Sequence, residues 1–157
     1  MTTLRTPSRR RLARVALVQA LYQLQINPTP CGELMEQFHA DPERLEGADM
    51  AFFDRLWPTL CAQIESLDPS IAAALNDRRW REEVNEVERA ILRLAAFELR
   101  YELQTPMRVI LNEAIELDKA FGAEQGHRFI NGVLDQLARR WRRAEIVGVE
   151  EDAAKKL

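Results

Sequence analysis

Apolar residues at three- and four-residue intervals fill the second half of the chain and leave room for one kind of element. Val87, Ile91, Leu94, Ala95 and Leu99 form one such stripe, and Val109, Ile110, Ala114, Leu117 and Phe121 form a second. A third runs through Phe129, Ile130, Val133, Leu134, Leu137 and Trp141. This spacing lines up each set on one face of an α-helix, and apolar–polar alternation never runs long enough for a strand. Successive amphipathic helices must bury their stripes on one another, so an all-α fold is expected.

Capping residues and prolines set the boundaries. Ser8 is expected to cap a first helix that ends at Asn27-Pro28. Leu12, Val15, Leu17, Val18, Leu21, Tyr22 and Leu24 surround most of it, which marks a central helix with only its first turns in water. A short helix over 32–39 should follow, then one over 49–67 burying Phe52, Phe53, Leu56, Leu60 and Ile64. Pro58 should kink or divide that helix, and Asp68-Pro69 reads as the cap and first position of another, ending at Leu75. Asn85 or Glu86 opens a helix running to Glu102. Thr105-Pro106 caps and starts the next, which Gly122 should stop as a left-handed C-cap. The final helix should cover about 124–143, and residues from 149 onward read as a polar tail. Within the final helix Asn131 and Gly132 are poor helix formers. A buried hydrogen bond from Asn131 and a close backbone approach at Gly132 would account for them. Trp57 and Trp80 read as packing residues.

The 157 residues, 46% hydrophobic and 30% charged, fit one compact domain. No apolar run reaches the ~18 residues of a membrane span, and the first residues lack the apolar core of an export signal. Cys31 and Cys61 are far apart and neither belongs to a Cys-x-x-Cys pair. With only His39 and His127 besides, neither a metal site nor a disulfide framework is expected, and a reduced cytoplasmic setting is.

The net charge of −3 argues against indiscriminate coating of nucleic acid. Its distribution points to a local anion site. Arg5, Arg9, Arg10, Arg11 and Arg14 precede the first acid, Glu33, whereas acids gather around 41–54 and 82–88. Arginines in a helix's first turns oppose its dipole, by ~0.3–1 kcal/mol each. A polyanion would relieve that repulsion and meet the free backbone N–H groups. A solvated face paired with acids from elsewhere is the competing reading.

Glu113 and Glu116 beside Asn112, like Glu82, Glu83, Glu86 and Glu88, are acids of the kind that ordinary helix faces carry. No nucleophile set or glycine-rich phosphate loop accompanies them, so no enzyme and no catalytic residue is expected. Phe121 and Phe129, flanked by Lys119 and Arg128, admit two readings. They pack in the core, or they stack unpaired bases at a helix–helix corner, worth ~1–3 kcal/mol per base.

Several runs carry a family resemblance. They are Arg9-Arg10-Arg11-Leu12-Ala13-Arg14, Gln19-Ala20-Leu21-Tyr22, Val87 to Leu94, Asn112-Glu113-Ala114, Phe121-Gly122 and Phe129-Ile130-Asn131-Gly132-Val133-Leu134-Asp135. From about Arg9 to Ala138 the chain resembles the NusB family of transcription antitermination factors. The resemblance implies an all-helical domain over 1–148, about seven helices in two packed subdomains (about 8–80 and 81–145), with a tail over 149–157. It implies binding of single-stranded boxA RNA from ribosomal RNA transcripts, together with NusE, a small-subunit ribosomal protein, in an antitermination complex on RNA polymerase. No cofactor is implied. By position, Arg9, Arg10, Arg11, Arg14, Lys119, Phe121, Gln125, Arg128 and Phe129 match the RNA surface, and Tyr22, Glu88 and Arg93 the NusE contact. Three departures stand out. Leu12 interrupts the basic run, Asp118 replaces a usual alanine and adds negative charge beside Lys119, and Gln125-Gly126 replaces Asp-Ser. The NusB-like domain that precedes some ribosomal RNA cytosine methyltransferases is one alternative, and a helical protein with an acidic protein partner is another.

Overall fold

Ser8 accepts the backbone N–H of Arg11 at 3.0 Å and thereby starts the first helix where the sequence places it. The computed structural model describes residues 8–75, 78–121 and 126–148. These form α1 (Arg9–Ile26), α2 (Cys31–Ala40), α3 (Met50–Ala74), α4 (Glu86–Tyr101), α5 (Met107–Ala120), α6 (Gly126–Trp141) and a short α7 over 143–148, with no strand among the described residues. The all-α expectation is met. The tail from 149 and the expected stop at Gly122 lie outside the described residues. Two compact units divide after Gln63, inside α3.

In the first unit α1 buries Ala13, Ala16, Leu17, Val18, Ala20 and Leu21. Leu34 and Phe38 of α2 and Phe52, Phe53, Leu56, Trp57 and Leu60 of α3 complete the core. Phe38 stacks on Phe53 with ring centroids 5.7 Å apart, and Phe53 on Trp57 at 6.4 Å. The Trp57 indole donates to the Cys31 carbonyl at 2.8 Å, so this large, fully buried side chain leaves no orphaned donor. Gly47, in the connection between α2 and α3, has φ +73°, and a Cβ there would lie 3.2 Å from Leu12 Cδ1. Leu12 thus anchors this connection, which also docks on α1 through Asp49 N–H to the Arg9 carbonyl at 2.9 Å.

Three expectations for this part of the chain are corrected. Cys31 and Cys61 form a disulfide between α2 and α3. The two helices fold back on each other and bring Cα atoms 30 residues apart in sequence to 6.6 Å, within bridging reach. Next, α3 is one helix of 25 residues that neither Pro58 nor Pro69 ends. Both prolines are exposed, so their rings sit on the solvent side of the helix and not in its packed face. Asp68 lies inside that helix and pairs with Arg93, at 2.9 and 2.7 Å, instead of capping a new one.

In the second unit α4, α5 and α6 pack on one another. Asn85 caps α4 by accepting the Glu88 N–H at 2.8 Å. At the other end Arg142 is buried and donates to the carbonyls of Glu98, Leu99, Glu102 and Thr105. Thr105 therefore sits in the α4–α5 corner and does not cap α5. Pro106 holds the N-cap position with no side-chain cap, and the first free N–H, of Met107, is taken by Glu145 Oε2 at 2.8 Å. The reading of Asn131 and Gly132 is also corrected. Both are exposed, and a Cβ on Gly132 would meet nothing within 4 Å. They lie off the stripe that buries Ile130, Val133, Leu134 and Leu137, so neither packing nor a buried hydrogen bond requires them.

Gly132→Ala should accordingly stabilise the fold by about 0.5–1 kcal/mol, because it lowers unfolded-chain entropy without a clash. Chemical denaturation should show an upward shift of the midpoint at unchanged m-value.

Candidate nucleic-acid interface

The arginine run becomes a graded patch on the first turns of α1. Arg9 and Arg10 are exposed, Arg11 is half-buried and Arg14 is only 3% exposed. What holds the patch together is the ring of Phe52 on α3. The Arg10 guanidinium lies 4.5 Å from its centroid, Arg14 5.2 Å and Arg55 5.6 Å. The negative face of an aromatic ring attracts cations, and at a desolvated site such contacts reach ~2 kcal/mol. Arg14 lies inside the patch and fixes its ring, while Arg9 and Arg10 offer their charge to solvent. Arg9 also reaches the Ala48 carbonyl at 3.5 Å.

In the second unit, four expected residues flank the connection between α5 and α6. Lys119 is exposed and paired with Glu116 at 3.6 Å. Phe121 is the C-cap of α5 and 37% exposed. Arg128 is exposed and Phe129 half-buried, whereas Gln125 lies outside the described residues. Arg78 covers the Phe129 ring at 4.2 Å and also reaches Glu88 at 3.6 Å. Phe129 is thus half-buried and not a core residue, and a guanidinium lies over its ring.

Of the residues matched to a protein partner, Tyr22 is 41% exposed on α1. Glu88 is 5% exposed and held by Arg78, and Arg93 is bound to Asp68 through two donors. Arg93 also lies 5.7 Å from the Trp80 ring, which Arg89 approaches to 4.4 Å. Burial pushes the Arg89 pKa down from its ordinary value, and Glu86 opposes that shift. Glu88 and Arg93 are therefore committed within the fold, and only Tyr22 stands open.

Asp118 is fully buried, and neither of its carboxylate oxygens has a hydrogen-bond partner among the described residues. Burial raises its pKa, Glu88 raises it further and His127 lowers it. The expectation that Asp118 adds negative charge beside Lys119 at the surface is corrected. Its place on α5 turns the side chain inward, where burial favours the neutral acid.

The sequence profile of the NusB family matches residues 11–139. The chain belongs to the NusB family. It is 46% identical over 132 residues to the transcription antitermination protein NusB of Mannheimia succiniciproducens, covering 84% of this chain and 90% of that one. The corresponding protein of Alcanivorax borkumensis is 45% identical over 140 residues, covering 89% and 91%. Among solved structures, T. maritima NusB aligns with a TM-score of 0.71 at 28% identity, over 91% of this chain and 99% of that one. The solution structure of NusB from Aquifex aeolicus, at 23% identity, shares the fold with a TM-score of 0.72 over 87% and 91%.

Sequence reasoning missed Phe52 and Arg78 as organisers of these patches. Phe52 carried only the signal of a core stripe, and Arg78 carried none. It also missed the burial of Asp118, which a position one helical turn after Ala114 could have revealed. Because the folded state holds the Asp118 proton more tightly than the unfolded chain, the cost of ionising it is absent below the ordinary value of 3.8. That cost grows as pH rises through the raised folded value. Asp118→Ala should therefore stabilise the protein by about 1–2 kcal/mol at neutral pH. The gain should shrink as pH falls toward 3.8, and thermal melts of both proteins across that range check it.

Proposed function

We propose that this chain is a non-enzymatic transcription antitermination factor that binds the single-stranded boxA element of ribosomal RNA transcripts together with NusE. In this role it joins the RNA polymerase complex in the cytoplasm and suppresses premature termination. The observation that carries the reading is the basic first turn of α1, on a chain of net charge −3 that belongs to the NusB family. Arg9, Arg10 and Arg11 supply phosphate contacts, and Arg14 positions them through Phe52. In the second unit Lys119 and Arg128 meet the RNA backbone, Phe121 and Phe129 stack bases, and Gln125 belongs to the same set. Tyr22 is the exposed side chain that meets NusE, while Glu88 and Arg93 act by holding α4 in shape.

If three arginines each neutralise one phosphate, the log–log salt slope of RNA binding should be near −2, from roughly −0.7 per contact. Replacing Arg9 and Arg10 together with alanine should flatten the slope by about 1.4 and leave the helical signal unchanged. Filter binding of a boxA-containing single strand across a salt series measures both. An unchanged slope in the double variant would remove the arginine patch from the RNA surface.

The partner assignment has its own test. Tyr22→Ala should weaken NusE binding by about tenfold or more with RNA absent, since exposed tyrosines anchor interfaces when desolvated. Titration calorimetry showing equal affinities would exclude Tyr22 as an anchor.

A further inference from the structure

The Cys31–Cys61 bridge lies outside the residues proposed to meet RNA, and it joins the first residue of α2 to the middle of α3. Cys31 is the first residue of α2, where unpaired backbone N–H groups favour an anion such as a thiolate. Cys61 lies within α3. Both are half-buried, within reach of a small oxidant but enclosed enough to favour one another over a second chain. The Trp57 indole fixes the Cys31 carbonyl at 2.8 Å, and the Phe38–Phe53–Trp57 stack holds α2 on α3 independently of the bridge. The two Cα atoms stand 6.6 Å apart, so the bond can form and open without moving either helix far.

We propose that Cys31 and Cys61 are a reversible thiol–disulfide modification site that takes a hydroperoxide as oxidant and cross-links α2 to α3. The Cys31 thiolate attacks the distal oxygen of the peroxide. The O–O bond breaks, an S–O bond forms, and the leaving oxygen takes a proton and departs as an alcohol, or as water from hydrogen peroxide. Cys31 is then a sulfenic acid. Cys61 attacks that sulfur, forms the S–S bond and displaces hydroxide, which leaves as water after protonation. Two thiols have lost two electrons to one peroxide, and a dithiol reductant returns them by exchange. That the bond is reopened in service rests on the cytoplasmic setting proposed above, where lasting disulfides are rare and transient ones sense oxidants. Formation of the bond does not depend on that reading.

The experiment uses the full chain, fully reduced, and stoichiometric hydrogen peroxide. Intact mass should fall by two hydrogens, with no free thiol left and the protein still monomeric by non-reducing electrophoresis. In Cys61→Ser a dimedone-type probe should capture a sulfenic acid on Cys31. Its capture should be at least about tenfold faster than that on Cys61 in Cys31→Ser. The oxidised wild type should melt about 5–10 °C above the reduced form, a difference that Cys61→Ser should lack. Thiols that survive the peroxide, a covalent dimer in place of the internal bridge, or failure to trap a sulfenic acid on Cys31 would each overturn the proposal. None of these readouts involves RNA, so they stand or fall apart from the antitermination role.

Discussion

The second unit depends on one guanidinium. Arg142 is 4% exposed and gives its donors to four carbonyls at the end of α4 and in the turn beyond it, and to Glu145 at 2.8 Å. The last carbonyls of a helix lack partners within the helix and carry its negative pole, so a buried cation there is doubly favoured. An unpaired buried charge would cost several kcal/mol, and full satisfaction of the donors is what makes the position tenable. Glu145, paired to Arg142, then accepts the first N–H of α5. One ion pair thus ends α4 and starts α5. It also fastens α7 to the corner, in the unit that carries Lys119, Phe121, Arg128 and Phe129.

The first unit uses arginine in the opposite way. Around Phe52 the guanidiniums of Arg10, Arg14 and Arg55 gather on an aromatic ring. Each such contact is weaker than a charge-assisted hydrogen bond, and the ring consumes no donor. Arg10, held in this way, is exposed and keeps its charge at the surface. A phosphate asks for such an arrangement, namely a guanidinium fixed in place with its edge available. Arg142 has spent its donors, whereas Arg10 has only been positioned.

The helices were legible in the sequence because their causes are local. Ser8 and Asn85 cap where they stand, and the stripes from Val87 to Leu99 and from Ile130 to Leu137 need only their own spacing to be recognised. Errors arose where a residue's role depends on what lies opposite it. Pro58 and Pro69 ordinarily break helices, but on α3 both lie on the exposed side and the helix continues through them, held by the residues it buries opposite. Thr105 is a plausible cap until Glu145 arrives from 40 residues away. The Cys31–Cys61 bridge and the burial of Asp118 are likewise products of tertiary packing. In the candidate site the residue types were legible and their exposure was not. Arg9 and Arg14 look alike in the sequence, and only packing separates the open one from the buried one.

Asn131 and Gly132 reverse the usual inference from a poor helix former. Packing explains such residues when they are buried, but here both are exposed, and glycine in a helix interior costs about 1 kcal/mol against alanine. Arg128, three residues before Asn131 and four before Gly132, is exposed as well, so all three fall on neighbouring turns of α6. An outward-facing strip with an arginine, an amide and a bare backbone position is equipped for polar contact at short range. The stability of α6 is supplied by Ile130, Val133, Leu134 and Leu137 on its other side, so this strip is left to solvent at no cost to the core.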